Sequence, residues 1–235
     1  WVSRNRLLNP SIAGTATGLE DLRQGLGLDV VPYLVMRKER VFGPAGYDDQ
    51  ALEPQIDMFY KITPQLNAAL TINTDFSATE VDTRQVNLTR FNLFFPEQRD
   101  FFIRDADIFQ FGRIGVGANF NEEGNDAMPR SALQNGRPFF SRRIGLSPGG
   151  QPVDINVGAK VSGRAGDWDV GTLVVSQDED ALTGVDAQTV FVGRAALNVL
   201  NESLLGVIAT SGDPRSNIDN SLIGADFRYR NSRLP

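Results

Sequence analysis

The sequence has neither cysteine nor histidine in its 235 residues. Their absence removes thiolate nucleophiles, disulfides, imidazole bases and the commonest zinc and haem ligands together. Catalysis, if any, would have to rest on Asp, Glu, Lys, Ser, Thr or Tyr. A basic excess is lacking too. The 23 Lys+Arg stand against 29 Asp+Glu, a net charge of -6, which leaves no electrostatic footprint for nucleic acid. Long apolar runs are also missing: the best covers residues 30–36 and contains Pro32. A spanning helix needs ~20 apolar residues, so a helical membrane protein is excluded. The chain opens at Trp1 with no signal-like segment and ends at Pro235 after a strand-like run, and it reads as an internal fragment of a longer protein.

What is present is a period of two. Val153, Ile155, Val157, Ala159 and Val161 alternate with Asp154, Asn156, Gly158, Lys160 and Ser162, and the alternation runs on to Ala165. That exceeds the ~5–6 residues of an ordinary strand and matches the ~9–11 that cross a bilayer at a tilt. The same pattern recurs around Trp168–Val174, Phe191–Val199, Leu205–Ala209 and Ile223–Tyr229. Upstream, Ile56, Met58, Tyr60 and Ile62 lead through Thr63-Pro64 to Ala68, Leu70 and Ile72, a hairpin, and residues 28–40 read as a first strand. Pro32 there demands an unpaired position or a bulge.

Connection lengths add a second signal. A long 41–52 precedes a short 63–66, and later a short 166–167, long 178–187, short 200–202 and long 211–220 follow one another. Outer-membrane barrels alternate short periplasmic turns with long external loops. The expected fold is therefore all-β, an antiparallel transmembrane β-barrel, with this chain a fragment of a larger barrel. Residues 1–76 and 153–235 supply its strands.

Residues 77–152 break the period. They mix Phe91, Phe94, Phe95, Phe101, Phe102, Phe109, Phe111, Phe139 and Phe140 with many charges, which suits a Phe-rich plug or cap inserted between barrel strands. Parity of strand direction requires this segment to hold an even number of spanning strands. None is the first expectation, because Arg137, Arg142 and Arg143 with Asp105 and Asp107 would make an expensive lipid-facing pair; two strands, around 108–119 and 137–146, are the alternative.

The block from Val86 through Phe91-Asn92-Leu93-Phe94-Phe95-Pro96-Glu97-Gln98-Arg99-Asp100-Phe101-Phe102, with Ile72-Asn73-Thr74-Asp75-Phe76-Ser77 before it and Phe140-Ser141-Arg142-Arg143-Ile144-Gly145 after it, resembles a family of uncharacterised bacterial outer-membrane β-barrel domains. In that family the barrel commonly follows a domain similar to carbohydrate-binding modules of family 9. The resemblance implies location in the bacterial outer membrane, contact with the lipid bilayer and lipopolysaccharide, and a glycan-related ligand. Some family members carry names implying a membrane-associated hydrolase, and no catalytic residues come with the resemblance.

Two groups are candidate ligand contacts. Phe95 offers a stacking surface with Glu97 and Arg99 as polar partners, against the simpler reading of a structural corner fixed by Pro96. Arg142 and Arg143, with Arg137, form a basic group suited to a phosphate or carboxylate, against pairing with interior acids. The acidic runs at Glu122-Glu123 and 178–180 lack calcium-loop spacing and read as solvated loop tips. No catalytic, metal or cofactor motif is found, so none of these is expected. The function expected is anchoring or passage of a carbohydrate-related ligand; a glycan hydrolase and a soluble β-sandwich binding module are the alternatives.

Overall fold

Side chains that alternate between two faces need neighbours of the same kind, and the chain supplies them in order. The computed structural model describes residues 25–40, 48–74, 97, 99–112, 114, 136–148, 153–179, 184–200 and 203–230. The strands are β1 (Leu28–Arg40), β2 (Asp48–Thr63), β3 (Leu66–Thr74), β4 (Ile155–Ala165), β5 (Trp168–Gln177), β6 (Gln188–Val199), β7 (Ser203–Ser211) and β8 (Ser221–Arg228). Each pairs antiparallel with the next, in a single eight-stranded sheet of order β1 to β8. The all-β, antiparallel expectation holds. Closure does not: β1 and β8 are opposite edges of an open sheet, because no ladder joins them among the described residues. As an edge strand β1 tolerates Pro32, which has no N–H to give.

β3 and β4 are neighbours, with Leu70 opposite Ala159, although some eighty residues of sequence separate them. The chain therefore leaves β3 and returns at β4 at the same end of the sheet. Between them, the described residues form a helical turn, α1 (Asp100–Ile103), short 3-10 turns at Ala106–Phe109 and Ser141–Arg143, and a single bridge residue at Leu146. The strands considered around 108–119 and 137–146 do not form over the described residues. The connections 178–187 and 200–202 fall where the pattern placed them, whereas 41–52 is shorter than expected: the ladder continues to Arg40 opposite Asp48.

Register gives the sheet two unlike faces. One, the open face, carries Leu34, Met36, Leu52, Met58, Tyr60, Leu70, Ile72, Val157, Ala159, Val161, Trp168, Val170, Val174, Phe191, Leu197, Leu205, Val207, Ile223 and Phe227. The other, the covered face, carries Asp57, Phe59, Asn67, Thr71, Lys160, Ser162, Asp169, Leu173, Val175, Gln177, Val192, Arg194, Ile208 and Asp226, on which residues 99–112 and 136–148 pack. One expected orientation is overturned. Ile155 belongs with the covered face and is fully buried, while Asn156 is exposed. A register shift between Ile155 and Val157 against β5 is the reason: one extra residue in a strand flips the facing of everything before it.

The core lies between the covered face and the packed segment, around Phe101, Phe102, Phe109, Ile144, Leu173, Val175, Val192 and Ile208. Glycines make room for it. A β-carbon on Gly171 would lie 2.9 Å from Phe109 Cζ, one on Gly224 2.8 Å from Phe111 Cζ, and one on Gly158 3.1 Å from Phe101 Cζ. The rings dock where strands of the covered face have no side chain.

Candidate functional site

The packed segment begins at a corner made by two residues singled out in the sequence. Arg99 is buried and clasps Glu97 in a two-pronged contact, Nε to Oε1 and Nη2 to Oε2, both at 2.9 Å. Its remaining donors reach the carbonyls of Ile144 at 2.9 Å and Ser141 at 3.0 Å. The guanidinium also lies 4.1 Å from the centre of the Phe102 ring. Arg99 thus staples the two described parts of the segment, 99–112 and 136–148, to each other. Burial pushes the Glu97 carboxyl up, but hydrogen bonds and charge from Arg99, aided by Ser141, outweigh it and hold the group below its ordinary value. The geometry is that of a structural corner, with both charged groups occupied by each other.

Hydrogen bonds at Lys160, Asp105, Asp226 and Gln177 fix the segment to the sheet. Lys160, on β4 and only 4% exposed, donates its ammonium to the carbonyls of Phe101 and Arg104, closing the end of α1. Asp105 accepts from Asn67 Nδ2 at 3.0 Å and Ser162 Oγ at 2.9 Å. Asp226, on β8, is ion-paired with the buried Arg194 of β6 at 2.6 Å and accepts from the backbone N–H of Gly112 at 3.0 Å. Gln177, at the far end of β5, accepts from the N–H of Gly145 at 2.8 Å. Lys160 therefore has a structural duty that its place in the alternation alone does not reveal.

Beside this attachment, at the end of the sheet bearing the short turns, two cavities of about 640 Å³ each flank Asp105 and Asn67. One is bordered by Asp107, Gln110, Arg164, Asp169 and Arg228, the other by Asp29, Tyr60, Lys61 and Arg104. Their walls mix both signs of charge with hydroxyl and amide groups. Such walls suit a polar, hydrogen-bonding ligand better than an apolar one. Among the described residues no group of three or more acidic side chains is placed to hold a metal ion.

The candidate residues divide. Glu97 and Arg99 are brought together but face inward on the segment's own backbone. Arg142 is buried and Arg143 exposed on the turn that follows. Phe95 lies outside the described residues, as do Phe91 and Phe94. The residues that line the cavities, Asp105, Arg164, Asp169 and Arg228 among them, are not among the ligand contacts expected from the sequence. For Arg164, Asp169 and Arg228 the signal is a charge at an alternate position of an otherwise apolar strand; Asp105 lies outside the strands.

Residues 25–119 match a family described as Domain of unknown function (DUF5916), a span under half of the chain. The match supports an uncharacterised domain family over that span. No curated protein and no solved structure matches the chain.

Proposed function

We propose that this chain is part of the wall of a bacterial outer-membrane β-barrel whose interior is occupied by the Phe-rich segment as a plug, and that it anchors or passes a glycan-related ligand. The observation that carries the reading is the open face. From Met36 and Leu52 across to Phe227 it bears no charged side chain, Lys38, Arg40 and Asp48 lying beyond at the ends of β1 and β2, and most of its large apolar residues are bare among the described residues: Leu34 is 62% exposed, Val207 50% and Phe227 59%. Lys160, Arg194, Asp226 and Gln177 sit on the covered face instead. A sheet in water arranges itself the other way, polar side out, and contiguous exposed apolar patches mark contact with another apolar phase.

Dimensions agree with lipid as that phase. Strands β4, β5 and β6 have 11, 10 and 12 residues. At ~3.3 Å per residue and a tilt of ~40°, ten residues rise ~25 Å, the height of the apolar band of such barrels. Tyr60, Trp168 and Phe227 stand on the open face near the short turns, where an aromatic girdle belongs. An eight-stranded ring has an interior just wide enough for its own side chains. Here the covered face holds a packed chain segment as well, so a wider ring is required, with further strands completing it at the β1 and β8 edges. Bilayer and lipopolysaccharide would then meet the open face. The glycan part of the proposal rests on the resemblance to barrels that follow sugar-binding domains and on the polar cavities around Asp105.

The test is the behaviour of the full-length protein. It should require detergent for extraction and, unheated in dodecyl sulfate, migrate on a gel at a position different from the boiled sample. Recovery in the soluble fraction without detergent, with a single heat-independent band, would contradict the proposal.

A further inference from the structure

We infer that Lys160 is a nucleophilic amine placed to capture a small polar aldehyde, as an imine on its Nζ, in the cavity between α1 and strands β1 to β4. The inference does not depend on the open face meeting lipid. Lys160 is 4% exposed, and its amino group donates to the carbonyls of Phe101 and Arg104. Among the described residues no carboxylate forms an ion pair with it. An ammonium group held away from water without a counter-ion keeps its charge at a cost. The two carbonyls need two N–H bonds, which a neutral amine also has. Loss of the third proton therefore leaves both hydrogen bonds in place and puts a lone pair in the remaining direction of the nitrogen, the form in which a lysine attacks a carbonyl carbon.

The surroundings supply room and a proton carrier. Lys160 borders the cavity of about 640 Å³ whose wall also includes Phe59, Lys61, Asn67, Arg104 and Asp105. That volume takes a small ligand, and the polar wall suits one with hydroxyl substituents. Asp105 accepts from Asn67 and Ser162 through Oδ2 alone, so Oδ1 is left to exchange protons with a guest. In the step, the Nζ lone pair forms the C–N bond and the carbonyl π pair moves to oxygen, which takes a proton. The nitrogen gives up a proton, the hydroxyl leaves as water, and a C=N bond closes. Amine and aldehyde become imine and water, with no oxidant or reductant consumed. The protonated imine keeps one N–H, so capture gives up one of the two carbonyls at the end of α1.

The test needs no variant, because the lysines of the chain are Lys38, Lys61 and Lys160 and each serves as a control for the others. The purified full chain, folded in nonionic detergent at neutral pH, is incubated with glycolaldehyde and sodium cyanoborohydride, which reduces an imine to a stable secondary amine. Peptide mass mapping then follows the rate at each lysine. Lys38 has a side chain 58% exposed and Lys61 is exposed, so accessibility alone ranks Lys160 last. The inference predicts the reverse: Lys160 modified tenfold or more faster than either, with the preference abolished when the chain is unfolded in urea. Modification of Lys160 at or below the rate of Lys38 and Lys61 would make it a buried structural donor and overturn the inference. A preference that survives in urea would owe nothing to the cavity and overturn it as well.

Discussion

At Gly171 the fit between sheet and packed segment leaves no room for a side chain. A β-carbon there would stand 2.9 Å from both Ile108 Cγ2 and Phe109 Cζ. Carbon atoms rest at ~3.5–4.0 Å, so Gly171→Ala forces the 3-10 turn Ala106–Phe109 to retreat by about 0.6–1 Å. That turn cannot move alone, because Asp105 is bonded to Asn67 and Ser162 just before it. Overpacking of this kind costs about 1–3 kcal/mol. The assay is equilibrium unfolding in urea in detergent, followed by the fluorescence of Trp168, next to Thr172→Ala on the opposite face. The midpoint should fall for Gly171→Ala with the slope unchanged, and tryptic cleavage after Arg104 should quicken. If Gly171→Ala is as stable as Thr172→Ala, the segment does not pack against β5 as described.

Lys160→Met keeps the length of the side chain and removes the donor to two carbonyls; unmet buried acceptors cost about 1–3 kcal/mol, measurable by the same unfolding assay. Glu97→Ala leaves the Arg99 charge buried and should cost about 3–5 kcal/mol at neutral pH. The folded protein holds Glu97 below its ordinary value of 4.5. Its contribution is therefore complete above that value and lost as pH falls through the lower folded value. A urea series between pH 7 and pH 3 should show that loss in the parent chain and a correspondingly smaller one in Glu97→Gln.

The strands were legible because register is written in the period of two: Trp168 to Val174 alternate so regularly that their facing followed at once. Ile155 was misplaced because a bulge adds a residue without altering composition, and nothing in Asp154-Ile155-Asn156-Val157 marks it. Counting strand directions limits the stretch between β3 and β4 to an even number of strands, and the charges of Arg137, Arg142, Arg143, Asp105 and Asp107 are what favour none, which makes β3 and β4 neighbours. The site was less readable. Glu97 and Arg99 stood out in sequence as charges among aromatics, but which partners they would take depends on the carbonyls of Ser141 and Ile144, more than forty residues away. Arg194 and Asp226 were visible as charges in apolar strands, yet only the ordering of β6, β7 and β8 brings them together across Gly206, whose missing side chain admits the guanidinium.

The claim that the open face of the sheet lies against lipid can be tested one residue at a time, because the chain contains no cysteine and any introduced thiol is unique. Single cysteines from Trp168 to Gln177 along β5, spin-labelled in lipid vesicles, report collision with oxygen, which concentrates in the bilayer, and with a water-soluble nickel chelate. The account predicts high oxygen and low nickel accessibility at Val170, Thr172 and Val174, alternating with low accessibility to both at Gly171, Leu173 and Val175. Nickel accessibility at Val170, Thr172 and Val174 would place that face in water, and exclusion of both reagents there would mean that protein covers it; either result contradicts the account.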